Sequence, residues 1–486
     1  MIAPVIPETQ LAPGLSISKI LTGLWQVADM ERDGKTLDPD ATAKHMLPYL
    51  DAGLHTFDMA DHYGSAEIIA GTFRKKYAGT RPVQLLTKWV PEPGPISLEQ
   101  TREAVQRALN RMQAAQIDLM QFHAWNYADP SWLDALIHLQ TLQQEGLIGQ
   151  LGLTNFDAEH LQMVLESGIR VVSNQICYSL LDQRAAGEMT AVCEKYGVKI
   201  LAFGTLAGGL LSEKWLGKSE PQEMSTWSQM KYKRFVDVTG GWTAYQQLLS
   251  VLHEVATACG VSLANAATRY ILDQPAVGGV IIGARLGTSG HIEDNLQTLQ
   301  FEWAPGTQEA LKAAVATLQA VPGGCGDEYR KPPFLTASGD LSHHLAGFPA
   351  PYPVVSTSNG RQKALSGTVW EDLAGFSRAI RIGNHIYVSG TTATHGNRVI
   401  GGQDAATQTA FILDKIAGAL QSLGSSMEAV VRTRIFVKRM EDWEAVSRVH
   451  GKRFKGIQPA NTLVRADLVG EDYLVEIEAE AIVANE

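Results

Sequence analysis

Three stretches decide how this chain folds: HTFDMADHYG (residues 55–64), VQLLTKW (83–89) and IDLMQFHAW (117–125). Each starts as an apolar, strand-like run and ends on residues with chemistry to offer: Asp58 and Tyr63, then Lys88, then His123. A lysine closing a segment as apolar as LLTKWV is unexpected, because burying an unpaired ammonium is costly. It calls for a carboxylate partner or a chemical role, and Asp58 and Tyr63 offer both. Polar residues ending three successive strands converge if those strands are parallel neighbours in a barrel.

Outward from these stretches the same alternation continues. Strands are expected at Lys19–Leu24, His55–Asp58, Val83–Thr87, Asp118–Phe122, Gly149–Leu153, Val171–Asn174, Lys199–Phe203 and Gly279–Ile282. Helix-like runs lie between them, among them Asp40–Ala52, Leu98–Ala115, Pro130–Glu145, Asp157–Ser167, Ala186–Tyr196 and Ala244–Cys259. Right-handed crossovers between parallel strands lead to a closed (β/α)₈ barrel or an open doubly wound sheet. Eight repeats favour the barrel. The polar, tryptophan-rich stretch Ser212–Trp242, bearing Lys231, Lys233 and Arg234, follows the seventh strand and is expected to form a lid.

Composition shifts after Val321. PGGCGDEYRKPPFLTASGDLSHHL reads as a tail of the barrel, and AGFPAPYPVVSTSNG as a Pro/Ser-rich linker. The expected division is a barrel with its tail over 1–346, a linker over 347–358 and a second domain over 359–486. That second domain alternates as α+β: strands at Ser377–Ile382 and His385–Ser389, a helix at Asp404–Leu423, a strand at Val430–Lys438, a helix at Asp442–Lys455, and strands at Asn461–Ala466 and Tyr473–Val483. The fold class expected is therefore α/β, a TIM barrel followed by a smaller α+β domain.

The chain has 486 residues, 45% hydrophobic and 19% charged, with a formal net charge of -10. That charge argues against nonspecific nucleic-acid or anionic-membrane binding. The start, MIAPVIPETQ, has no basic region before an apolar core, and no apolar run approaches the ~20 residues of a membrane span. Cys177, Cys193, Cys259 and Cys325 form no CxxC, which points to reduced thiols in a cytoplasmic protein and to no zinc site. The pair His343–His344 invites a metal, but no third ligand is evident, and none is expected.

FDMADHYGSAE, LLTKWV, IDLMQFHAW, LGLTNF, NQICYSLLDQ, AFGTLAGGLL and GARLGTSGHIEDN together resemble the aldo-keto reductase family, over roughly residues 16–345 with the motifs ending near 320. The resemblance implies carbonyl reduction by hydride transfer, with Asp58, Tyr63, Lys88 and His123 as a catalytic tetrad. The residue chemistry agrees. Tyr63 would be the general acid, and a free phenol, with a pKa near ~10, is too weak an acid for rapid exchange at neutral pH. A nearby Lys88 ammonium favours phenolate, and Asp58 keeps that lysine charged and placed. His123 would orient the substrate carbonyl. The same resemblance implies NADPH bound by Gly23, Asn155, Gln175, Phe203, Leu206, Lys214, Gly283, Arg285, Asp294 and Asn295. In it Asn155 and Gln175 hold the nicotinamide carboxamide, Phe203 stacks on its ring, Lys214 meets the pyrophosphate, Arg285 grips the 2′-phosphate, and Asp294 and Asn295 contact adenine. No G-x-G-x-x-G follows a strand, so a Rossmann reading has no support. Trp25 and Trp125 line the substrate pocket or cap the barrel rim, and Tyr329 and the two tail histidines are within reach of its mouth.

RAIRIGNHIYVSGTTA, GGQDAATQTAFILDKIAGAL, VVRTRIFVKRMEDWEAVSRVHGKRF, QPANTLVRADL and LVEIEAEAIV resemble the Rid (reactive intermediate deaminase) family, with a chorismate-mutase-like fold, over about residues 360–486. Active relatives hydrolyse enamines and imines as trimers with clefts between subunits. The resemblance implies a cleft of Phe376, Ser389, Asn461 and Glu478. Asn461 stands where active members carry a carboxylate-clamping arginine, and asparagine supplies neither the charge nor the fork. Glu478 can also be read as an outward residue of an edge strand. The domain is expected to have lost carboxylate-dependent deaminase activity and to serve homo-oligomeric assembly, as a trimer, or small-molecule binding. The leading expectation is an NADPH-dependent reductase of an aldehyde or ketone. A bifunctional enzyme acting also on an imine or enamine is a second reading. An NADP-binding redox sensor or scaffold is a third, against which the intact tetrad argues.

Overall fold

The computed structural model describes residues 6–27, 37–288, 290–336 and 348–484. His343, His344 and the expected domain end at 346 lie outside these. The first domain is a closed barrel of eight parallel strands: Ile20–Gly23, Thr56–Asp58, Gln84–Trp89, Ile117–Phe122, Ile148–Thr154, Ser173–Cys177, Lys199–Phe203 and Val277–Gly283. The eighth pairs with the first and closes the ring.

Strand periodicity sorts the barrel interior into two levels. Leu21, Leu86, Leu119 and Leu201 form a small apolar cluster with Leu11, Leu15 and Ile17 of an N-terminal hairpin, Glu8–Ala12 and Leu15–Ser18. That hairpin plugs the bottom. Two residues further along each strand, and so on the same face, stand Gly23, Lys88, Gln121 and Phe203. The leucine layer is the floor on which the polar layer rests, at the C-terminal end where barrels carry their chemistry.

Several boundaries differ from expectation for identifiable reasons. The run Asp40–Ala52 is two short helices, Pro39–Lys44 and Leu47–Asp51, because Pro48 has no N–H to continue the first ladder. The sixth strand begins at Ser173 rather than Val171 and runs to Cys177; its polar Ser173, Asn174 and Gln175 are buried, which obscures its bounds in an apolar-run reading. Helices Ala66–Lys76, Leu263–Leu272 and Thr307–Ala316 complete the outer ring.

The second domain is a seven-stranded mixed sheet in the order Val354–Ser356, Gln362–Ala364, Ala379–Ile382, His385–Thr392, Val475–Ile482, Val430–Val437, Ala460–Arg465. Only the last pair is parallel. Residues 354–356, read above as linker, pair with Gln362–Ala364 as the edge of this sheet. Just before them, the Tyr352 backbone N–H donates to Ser422 Oγ at 2.9 Å. Helices Ala405–Ser422 and Trp443–Arg453 cover one face.

The helix Ala405–Ser422 is buried almost throughout, because its other side packs on barrel helix Ala158–Glu166. Gly418 permits the approach: a Cβ there would lie 2.3 Å from the Ala128 carbonyl oxygen. At the centre, His160 Nδ1 lies 2.7 Å from Asp157 Oδ1 and its Nε2 lies 2.9 Å from Asp414 Oδ2, across the domain boundary. Burial opposes charge on this imidazole, but Asp157 and then Asp414 outweigh it and push the pKa up to about 9. A raised folded pKa stabilises fully below the unfolded value of about 6.5 and ceases to do so as pH climbs through about 9. Thermal unfolding midpoints should therefore fall across that window, and His160→Gln should flatten the fall; identical profiles for the two proteins would contradict the assignment.

Candidate active site

Asp58 ends the second strand and Lys88 lies one residue before the end of the third, so their side chains meet inside the rim. Lys88 Nζ donates to Asp58 Oδ2 at 2.6 Å and to the Met59 carbonyl at 2.8 Å. Both side chains are nearly inaccessible, 6% and 4% exposed, so neither charge is repaid by water. Burial lowers the Lys88 pKa from its ordinary value, against the opposing pull of Asp58. The second Asp58 oxygen accepts from Gln175 Nε2 at 2.7 Å and Gln121 Nε2 at 3.1 Å, and Gln175 Nε2 also reaches Gln121 Oε1 at 2.9 Å. Gln121 was not singled out from sequence. Its place two residues before His123, at the end of the same strand-like run, is the available signal.

Tyr63 sits in the turn after the second strand, its backbone N–H donating to Ala60 O at 3.1 Å. Lys88 Nζ lies 5.2 Å from its ring centroid. The ring meets Trp25 edge-on at 4.9 Å. His123 follows the fourth strand, with Nδ1 3.4 Å from both Thr154 O and Asn155 Nδ2, and packs edge-on against Trp125 at 4.4 Å. Trp125 is anchored by its Nε1–H to Pro91 O at 3.0 Å. All four tetrad residues line one cavity of about 890 Å³, as do Trp25 and Trp125.

The ten residues expected at the cofactor line that same cavity. Asn155 holds the left-handed conformation at φ 60°, which asparagine tolerates better than most residues. Its Oδ1 is buried with no hydrogen-bond partner among the described residues, at a residue that lines the cavity, an acceptor of the kind a carboxamide N–H needs. The amide N–H groups of Gln175 serve Asp58 and Gln121. Asp294 is likewise engaged: it accepts from Asn265 Nδ2 at 3.1 Å and Ser262 Oγ at 3.5 Å, tying the start of helix Leu263–Leu272. Gly23 is a glycine by crowding, since a Cβ would lie 2.8 Å from Ile281 Cγ2, whereas at Gly283 it would meet only the movable amide end of Gln26. With Phe203 as an aromatic wall and Lys214 and Arg285 as cations, these residues fit a phosphorylated dinucleotide.

Helix Trp227–Val238, within the expected lid, lines the cavity through Trp227, Ser228, Lys231 and Tyr232. Lys231 Nζ donates to Tyr329 Oη at 2.6 Å and lies 5.1 Å from the Phe203 ring centroid, linking lid, tail and cavity wall. Its charge was visible in the sequence; its inward direction depends on where the helix packs. Among the described residues no group of three His, Cys, Asp or Glu is placed to hold a metal ion, and no single helix is long and apolar enough to cross a membrane.

In the second domain, Asn461 and Glu478, both expected at a cleft between subunits, lie on opposite faces of one copy's sheet. Thr433 stands opposite both Ala479 and Asn461, whereas Arg434 stands opposite Glu478. Successive residues point to opposite faces, so Asn461 and Glu478 diverge. Asn461 Nδ2 donates to Thr433 Oγ1 at 2.8 Å on the helix-covered side, and Glu478 accepts from Arg434 Nη1 at 2.9 Å on the other. Glu478 lies on an interior strand, not an edge. Ser389 Oγ donates to Ser377 O at 2.8 Å, and the Phe376 ring lies 5.4 Å from the Arg378 guanidinium.

Asp58→Asn should destabilise the fold by about 3–5 kcal/mol, because it strands a buried ammonium. Lys88→Met strands the Asp58 carboxylate instead, but Gln121 and Gln175 still donate to it, so it should lose less in denaturant melts; the reverse order would mean that Asp58 does not answer Lys88.

A family model described as "Aldo/keto reductase family" matches residues 19–315, and one described as "Endoribonuclease L-PSP" matches residues 369–483, the Rid-like part. An uncharacterised Streptomyces coelicolor protein is 34% identical over 126 residues, 26% of this chain and 94% of its own length. The chloroplastic pyridoxal reductase of Arabidopsis thaliana is 24% identical over 319 residues, 62% of this chain and 84% of its own. The structure of a Gluconobacter oxydans glycerol dehydrogenase superposes with a TM-score of 0.52 at 21% identity, over 65% of this chain and 97% of its own, a likeness of fold.

Proposed function

We propose that this chain, which belongs to the aldo/keto reductase family, reduces an aldehyde or ketone with NADPH, or oxidises the matching alcohol. The observation that carries the reading is the buried Lys88–Asp58 pair beside Tyr63, in the same cavity as Lys214 and Arg285. Bound NADPH supplies the hydride. Tyr63 then gives its phenolic proton to the carbonyl oxygen as negative charge develops there. Lys88 stabilises the phenolate left behind, and Asp58 keeps that ammonium from losing its proton to its buried surroundings. His123 holds the carbonyl oxygen against Tyr63, so that alignment does not have to be found in the transition state. Trp25, Trp125 and Phe203 form an aromatic wall suited to a flat or apolar carbonyl compound. The name of the Arabidopsis relative adds heteroaromatic aldehydes to the candidates worth testing.

The Rid-like domain serves assembly. Tyr387, Val431, Val464 and Ile482 are large hydrophobic side chains exposed on its strands or at their ends, which suits a homo-oligomer, a trimer by the Rid resemblance. Light scattering of the full chain checks this, and a monomer would contradict it.

Tyr63→Phe should abolish turnover of an aldehyde panel followed by NADPH absorbance, while cofactor binding is kept. General acid catalysis is worth ~10²–10⁴-fold, so retention of more than about a tenth of the rate, with chemistry limiting, would unseat the assigned acid. Arg285→Ala should weaken NADPH roughly ten- to a hundredfold and spare NADH, which lacks the 2′-phosphate. Equal losses for both would place Arg285 elsewhere.

A further inference from the structure

Tyr127, buried in the segment after the fourth barrel strand, lies outside the cavity lining yet joins the second domain to it. The His160 imidazole is stacked on its ring, with centroids 3.4 Å apart and planes 7° from parallel. The Arg330 guanidinium also rests over the ring, 4.3 Å from its centroid. Aromatic faces attract cations, and this one serves two.

Each cation is tied at its far side. His160 is clamped between Asp157 and Asp414, and the other Asp414 oxygen accepts from Arg453 Nη1 at 2.8 Å. Asp414 and Arg453 both belong to the second domain. Arg330 donates from Nε to Ala124 O at 2.8 Å and from Nη2 to Asn155 O at 2.7 Å. Ala124 follows His123 directly, and Asn155 is the left-handed residue that lines the cavity. Gly326 keeps the tail close enough for this, since a Cβ there would lie 2.0 Å from Asn155 O.

We propose that Asp414 of the Rid-like domain is a positioning residue for the reductase site: by holding His160 against Tyr127 it sets the seat of Arg330, and Arg330 sets the Asn155 and Ala124 backbone. The proposal rests on the reading of Asn155 as a nicotinamide contact. On this view the second domain is a wall of the reductase as well as a tether. Not every pair across the same boundary has this reach. Lys452 Nζ meets Glu188 Oε2 at 2.7 Å, but both side chains are more than half exposed and lead nowhere toward the cavity.

The test is made in the full chain, with NADPH affinity read from tryptophan fluorescence quenching. Asp414→Asn should weaken NADPH about 2- to 30-fold, the range found for residues that act through packed neighbours. It should add nothing further in a Tyr127→Leu background, and Lys452→Ala should bind as wild type. Wild-type affinity in folded Asp414→Asn, or losses from Asp414→Asn and Tyr127→Leu that simply add, would overturn the proposal. If Asp414→Asn does not fold, His160→Gln takes its place: weakened NADPH binding supports the proposal and wild-type affinity overturns it. Asn155→Ala separates the two layers of inference. If it leaves NADPH binding intact, the nicotinamide reading of Asn155 fails. If it weakens binding while Asp414→Asn does not, the positioning role alone fails.

Discussion

A buried ammonium needs a buried carboxylate, and the upper layer of the barrel is arranged around that requirement. Lys88 cannot be solvated where it stands, so Asp58 must face it from the neighbouring strand. Asp58 in turn has a second oxygen to satisfy, and Gln121 and Gln175 converge on it from the fourth and sixth strands. Four of eight strands are thereby held in register at one level by polar side chains. The leucines below them make the level dry. Without that floor the pair would be wet and its influence on Tyr63 small, because charges interact weakly across water.

The same arrangement explains why so much of the site was legible. Asp58, Lys88 and His123 end or follow short apolar strands, and the barrel carries them to one rim by topology alone. Their partners follow from parity along a strand. What was not legible depends on contacts between distant segments. His160 and Asp414 are 254 residues apart, and neither looks unusual in its own helix. Lys231 declared its charge but not its direction. The strand Val354–Ser356 was hidden in a Pro/Ser-rich stretch that composition assigns to linker. That Asn461 and Glu478 face opposite sides of one copy's sheet follows from strand register, which the motifs do not carry.

The two domains are joined by more than a chain connection. The helix Ala405–Ser422 is sandwiched between its own sheet and the barrel, so the second domain would expose a largely apolar helix face if it were cut away. The Asp157–His160–Asp414–Arg453 cluster then gives that contact a fixed register, because His160 and Asp414 are buried at its centre and each member is answered by the next. Fusion here has produced one packed body with the reductase cavity at the barrel mouth.

The central claim, that this cavity transfers hydride to a carbonyl with Tyr63 as the acid, is tested most directly by a single turnover. Protein loaded with NADPH, deuterated at the transferred position or not, is mixed with a reactive aromatic aldehyde, and loss of cofactor absorbance is followed. The account requires one oxidation per site, slowed by deuterium, and absent in Tyr63→Phe protein that still holds NADPH. Cofactor that binds but is not oxidised by any aldehyde or ketone in the wild type would contradict it, and would leave a protein that holds NADPH without using it.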